Sequence, residues 1–151
     1  MNERTLVIVK PDAMTQESHV LAQILAEYLR WSSVADNNHP HIIDLRYFEQ
    51  LPTKTVHALY REHEGKPYYE MLVNFMRSGP VVVLVLEGND IIRLVRTLNG
   101  ATNPEKADPG TLRERFGMKG PRFTGQQNAV HASDSPESAA REIGIFFPDL
   151  Q

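Results

Sequence analysis

Four short strand-like runs, separated by stretches of helical periodicity, predict an α+β fold in which helices cover a four-stranded antiparallel sheet. Three observations carry that expectation. Val81 to Leu86 is an unbroken aliphatic run, and Thr5 to Val9 is β-branched and closed by Pro11. Between Val20 and Leu29, apolar residues fall at the spacing of one helix face. At 151 residues, 41% hydrophobic and 23% charged, the chain has the size and balance of one globular domain spanning 1–151.

Taken in order, Thr5 to Val9 reads as a buried first strand. Val20, Leu21, Ile24, Leu25, Tyr28 and Leu29 then mark a helix from Ser18 to Trp31, with Ser18 as its N-cap. Ser32 to His41 is polar and turn-rich, hence a loop. Ile43, Leu45 and Tyr47 alternate with Asp44 and Arg46, as in a half-buried strand. Pro52-Thr53 opens one short helix. Pro67 opens a second, whose apolar residues include Tyr68, Met71, Leu72 and Phe75, and Ser78-Gly79-Pro80 stops it. Val81 to Glu87 is the strongest strand, and Asn89 or Asp90 caps a helix running to about Leu98.

Asn99 to Gly110 has no periodicity, and loops of this length inside compact domains are usually functional or disordered. A short turn at Thr111 to Phe116 leads into a glycine-containing loop, Gly117 to Gln127. Ala129-Val130-His131 is a short strand, and Ser135-Pro136-Glu137 supplies a cap, a first-turn proline and a first-turn acid for the last helix. This order is that of a ferredoxin-like split βαβ sandwich.

Composition excludes several classes of chemistry. Without cysteine there are no disulfides, thiolate metal sites or cysteine nucleophiles. The longest apolar run is far too short to cross a membrane. Met1-Asn2-Glu3-Arg4 leads straight into a strand and lacks the apolar core of a signal peptide, so the cytosol is the expected location. A formal charge of −3 argues against nucleic acid as the main partner, while leaving room for a local basic pocket.

No GxxxxGK[ST] loop or protein-kinase motif is present, so phosphate handling has to come from scattered side chains. Lys10, Arg96, Thr102, Arg113, Asn128 and His131 all sit near strand ends or loops. They are the donor and cation types that phosphoryl transfer demands, and a neutral imidazole is a competent acceptor near neutral pH. Singly, each has a plainer reading: Arg96 beside Arg93 and Asp90 as a surface ion pair, Thr102 and Asn128 as turn residues, Lys10 as a solvated strand end. The spacing favours the chemical one. Asn128 to His131 ends a strand where a capped helix begins. Glu142 lies two turns into that helix, on a side that can face back and fix the imidazole tautomer.

Asn128-Ala-Val-His131-Ala-Ser133-Asp134-Ser135 resembles the histidine signature of nucleoside diphosphate kinases. The likeness extends through Arg4-Thr5, Lys10-Pro11-Asp12, Ser78-Gly79-Pro80, Glu87-Gly88 and Thr102-Asn103-Pro104 to Arg113, in order along nearly the whole chain. The resemblance implies an enzyme that passes the γ-phosphoryl group of ATP to nucleoside diphosphates through a phosphohistidine on His131, oriented by Glu142. It further implies Tyr60 beside the histidine, Lys10 and Asn128 on sugar hydroxyls and nearby phosphates, and Arg96, Thr102 and Arg113 on phosphates. Tyr68 stands where the family usually has a phenylalanine under the base. An aromatic face is worth roughly 1–3 kcal/mol to any base without reading its edges. Mg2+ is expected to arrive on the nucleotide rather than on protein ligands. Family members are homo-oligomers, so a hexamer, tetramer or dimer is expected.

Some features depart from that pattern. Ala132 replaces the usual glycine after the histidine, and its methyl is expected to tighten the site. Thr15 to Val20 lacks the usual Gly-Leu-x-Gly, and the loops 32–41 and 117–127 are longer than usual, the second expected to reshape a wall of the base pocket. A nucleotide-binding module without turnover is therefore the alternative. His39-Pro40-His41 lacks an evident third metal ligand, and His19, His57 and His63 read as solvated helix-surface residues.

Overall fold

A computed structural model describes residues 2–31 and 39–150. The chain runs β1 (Asn2–Val9), α1 (Pro11–Met14), α2 (His19–Leu29), β2 (His41–Phe48), α3 (Thr53–Leu59), α4 (Tyr69–Met76), β3 (Val81–Asn89), α5 (Ile91–Asn99), α6 (Leu112–Phe116), β4 (Val130–Ala132) and α7 (Pro136–Phe146). Short 3-10 turns occupy Arg61–His63, Pro104–Lys106 and Pro148–Leu150. Among the described residues the four strands form one antiparallel sheet in the order β2-β3-β1-β4, as the strand count and spacing predict.

β1 and β3 are the two central strands and carry apolar residues on both faces. Alternate side chains feed separate cores. Leu6, Ile8, Val83 and Val85 pack with Leu72, Ile143 and Phe146 on the side of α3, α4 and α7. Val7, Val9, Leu84 and Leu86 pack with Ile24, Tyr28, Ile91 and Val95 on the side of α2 and α5. Burying one such side chain is worth about 1.5–3 kcal/mol, which is why the central runs are unbroken rather than alternating.

Several boundaries differ from the sequence reading. β1 begins at Asn2, because its pairing with β3 continues to Asn2↔Asn89. The backbone of Ser18 is already helical and its hydroxyl caps nothing, so α2 lacks the expected side-chain cap and ends at Leu29. Asp90 precedes α5 in a left-handed conformation (φ 49°) without a side-chain cap, and its carboxylate reaches Arg93 at 3.2 Å instead. Tyr68 is the residue before α4, and the buried face of that helix is Tyr69, Leu72, Val73 and Met76. β2 begins at His41, inside the segment read as loop, and most of that segment, 32–38, lies outside the described residues. The last helix starts as expected: Ser135 Oγ accepts from Ser138 N at 3.1 Å, with Pro136 next in line.

The stretch after α5 is ordered by two anchors. Tyr28 Oη donates to Asn99 Oδ1 at 2.6 Å in the core. Gly100 follows with φ +83°, and a β-carbon there would lie 2.7 Å from Thr111 Cβ and 2.5 Å from its Oγ1. Gly100→Ala combines an unfavourable backbone region with overpacking, so a loss of about 2–4 kcal/mol in urea unfolding is expected. A midpoint within error of the parent protein would show that the segment shifts freely.

Candidate active site

His131 sits in the middle of β4, opposite Ile8 of β1, at one edge of the sheet. Its Nε2 lies 3.1 Å from Glu142 Oε2. The helical repeat that buries Ala139, Ile143 and Phe146 of α7 carries Glu142 inward with them, and only 4% of it is exposed. Glu142 Oε2 also accepts from Ser133 Oγ at 2.7 Å, and Ser133 Oγ accepts from Leu6 N at 3.2 Å. Burial alone would raise the Glu142 carboxyl. The hydrogen bonds and charge of His131, with help from Ser133 and Arg141, outweigh it and hold the group below the usual range. An ionised Glu142 can only accept, so Nε2–H donates to it and the lone pair is left on Nδ1.

A cleft of about 430 Å3 opens beside this pair. Lys10, Tyr60, Tyr68, Thr102, Arg113, Asn128 and His131 line it, so seven of the nine residues singled out from sequence meet on one wall or another. Glu142 stands behind His131. Tyr60 presents its ring edge-on to His131 at 6.0 Å between centroids. Tyr68 stands at the mouth, 40% exposed.

Lys10 is the last residue before α1, and its backbone N–H donates to Ala129 O at 2.9 Å. Its Nζ donates to the Gln126 carbonyl and, at 2.8 Å, to Asn128 Oδ1, while Asn128 Nδ2 donates to Thr102 O at 3.0 Å. This network ties β1, the 99–110 segment and the 117–127 loop into one floor. Burial, with Arg113 adding to it against the pull of Asp12, pushes the Lys10 ammonium down to about 7. In the unfolded chain the group titrates near 10.5, so between these values the unfolded state holds the proton more tightly. Stability should therefore rise with pH from about 7 to about 10, by up to about 1.4 kcal/mol per pH unit. Lys10→Met should lack that rise when urea midpoints are compared at neutral and alkaline pH. Parallel curves for the two proteins would contradict it.

Arg113 on α6 donates from Nη1 to Gly100 O at 3.0 Å and from Nη2 to Val130 O at 2.9 Å, and its buried Nε has no protein partner. The guanidinium is therefore clamped between the loop after α5 and the strand that carries His131. Arg96 does not line the cleft beside His131. It lines a smaller hollow of about 100 Å3 with Asn99, Gly100, Ala101 and Ala132, and that hollow shares Thr102 and Arg113 with the cleft.

Ala132 corrects one expectation. Successive strand residues point to opposite faces, and Ala132 packs in the core against α5 and borders the Arg96 hollow. Its methyl does not crowd the imidazole, and the case for a pocket without turnover loses its main support. Between Asn128 and Val130 the chain makes a tight turn: Ala129 has φ +72° and Val130 N donates to Asn128 O at 2.9 Å, closing a γ-turn of the strained hand. Asp12 Oδ2 accepts from Ala129 N at 2.9 Å and holds that turn.

Three contributors escaped the sequence reading. Asp12, named only as part of the Lys10-Pro11-Asp12 likeness, has no role of its own in the sequence reading and holds the Ala129 turn. Gln126 acts through its backbone carbonyl, which no side-chain motif reports. His63, read as solvated, lines the cleft with Nδ1 2.7 Å from Tyr68 Oη. Thr124, Gly125 and Gln126 form one wall, as expected for the longer 117–127 loop.

Comparison with known proteins agrees with this geometry. Residues 3–151 match the nucleoside diphosphate kinase family. A nucleoside diphosphate kinase of Streptomyces avermitilis is 43% identical, the match covering 98% of each chain. The Aquifex aeolicus nucleoside diphosphate kinase superposes with a TM-score of 0.82 at 40% identity over 99% of this chain and 98% of that one. A halophilic nucleoside diphosphate kinase from Halobacterium salinarum, in complex with CDP, gives 0.77 at 32% identity over 97% of this chain and 88% of that one. With the sheet order, the histidine motif and the cleft in agreement over nearly its whole length, the chain belongs to the nucleoside diphosphate kinase family and moves phosphoryl groups between nucleotides.

Proposed function

We propose that His131 carries the phosphoryl group covalently between the two nucleotides. Nδ1 attacks the γ-phosphorus of ATP, the bond to the β,γ-bridging oxygen breaks, and ADP leaves. A terminal oxygen of the second nucleoside diphosphate then attacks the same phosphorus and the P–N bond breaks. The observation that carries this reading is the buried Glu142 engaged with Nε2, which charges Nδ1 with the attack.

In this reading, Arg113 and Thr102 meet the phosphates from the cleft, and Arg96 meets them from the adjoining hollow. Lys10 and Asn128 hold sugar hydroxyls and the nearer phosphates. Tyr60 packs against His131, and Tyr68 stacks on the base. CDP on the Halobacterium relative is a pyrimidine nucleotide, which suits a base platform that reads no edges. The cleft wall carries no carboxylate among its described residues, which fits Mg2+ entering on the phosphates, where it would neutralise charge.

We also propose a homo-oligomer. β2 is an edge strand with Ile42, Leu45 and Tyr47 exposed, and an open edge carrying apolar side chains suits a partner copy. Among the described residues no helix is long and apolar enough to cross a membrane, and the proposed location is the cytoplasm.

The test is incubation with γ-labelled ATP. Acid-labile, base-stable label on the protein and ping-pong steady-state kinetics are expected, whereas an unlabelled but active enzyme would mean direct transfer between bound nucleotides. Solution mass checks the assembly.

A further inference from the structure

Tyr68 stands at the mouth of the cleft, largely outside the core and unsupported by its own helix, since it precedes α4 and caps nothing with its side chain. Among the described residues its hydroxyl is anchored by the 2.7 Å bond to His63 Nδ1. The two rings also meet edge-on at 5.6 Å. His63 in turn lies against Tyr60, 6.0 Å between centroids, and Tyr60 lies edge-on to His131 at 6.0 Å. Four aromatic rings thus form a continuous row from the rim to the nucleophile. The chain between the outer two is a succession of turns: His63 N donates to Tyr60 O at 2.8 Å, Lys66 N to His63 O at 3.0 Å and Tyr69 N to Lys66 O at 3.0 Å.

We infer that His63 is a positioning residue for nucleotide binding. It fixes the Tyr68 ring as the base platform at a set distance from His131 and draws the phenol away from the base edges. The inference rests on the proposed stacking of the base on Tyr68. Its chemistry is simple. A ring already held in place loses less freedom when a base stacks on it, so the bond lowers the cost of binding without touching the phosphates. Because the hydroxyl is engaged by His63, the platform offers a π-face and no edge-reading donor, and purine and pyrimidine nucleotides should benefit equally.

The test compares Tyr68→Phe, His63→Ala and the double variant, with ATP, ADP, CDP and tripolyphosphate as substrates. Tyr68→Phe keeps the stacking face and removes only the bond. Each single variant should raise the nucleotide KM roughly three- to tenfold, as for loss of one hydrogen bond, with kcat moved much less. The double variant should match the larger single effect, since both changes break the same bond. Labelling of the protein by tripolyphosphate, which has no base, should be equal in all four proteins. Additive effects, an unchanged nucleotide KM in Tyr68→Phe, or an equal loss with tripolyphosphate would each overturn the inference. Absence of label on the wild-type protein would instead overturn the covalent reading, so the two failures are separable.

Discussion

His131→Gln should be labelled by γ-labelled ATP not at all, and its turnover should fall by roughly 10^4-fold or more, because no other group inherits the attack. The glutamine amide has a donor to offer Glu142, so the buried carboxylate keeps a partner and the fold is retained. Thermal unfolding within a few degrees of wild type is expected, and that control separates lost chemistry from lost structure. His63 is the one other histidine among the described residues lining the cleft. Label persisting in His131→Gln but vanishing in His63→Gln would transfer the role.

Arg113→Ala should lose both activity and stability. The guanidinium satisfies the carbonyls of Gly100 and Val130 at once, and stripping these two part-buried acceptors costs about 1–3 kcal/mol in urea unfolding. With Arg113 in its proposed place on the phosphates, removing the cation should lower kcat/KM by roughly 10^2- to 10^3-fold. Arg113→Lys should recover little of either, because a single ammonium cannot span two carbonyls in the fork geometry of an arginine. Full stability in the lysine variant would show that the clamp is not what holds the 100–102 segment.

The sheet was legible because its two inner strands are buried on both faces and so announce themselves as aliphatic runs. The last helix was legible for another reason: Ser135, Pro136 and Glu137 state its start locally, and counting two turns onward reaches Glu142. Ser18 and Asp90 are cap types too, yet their backbones are αR and αL, conformations fixed by the chain around them. α1 spans four residues, too short for any periodicity to register. In the site, His131 and Glu142 share a short segment, and their pairing could be read from spacing alone. Arg96 could not be assigned to one cavity or the other, because that depends on where α5 ends against Thr102 and Arg113. Asp12 and the Gln126 carbonyl become part of the site only when the ends of the chain meet.

That meeting decides when the enzyme comes into being. β4 is three residues long and, among the described residues, pairs only with β1, and the bond from Leu6 N to Ser133 Oγ joins positions 127 apart in the chain. Contacts this distant close late, after the loop entropy between them has been met by the rest of the fold. On the ribosome, β1 and β3 can pair before residue 142 is made, yet the core face shared with Ile143 and Phe146 stays open and His131 has no carboxylate until then. Premature termination anywhere upstream of α7 therefore releases a chain with no competent site.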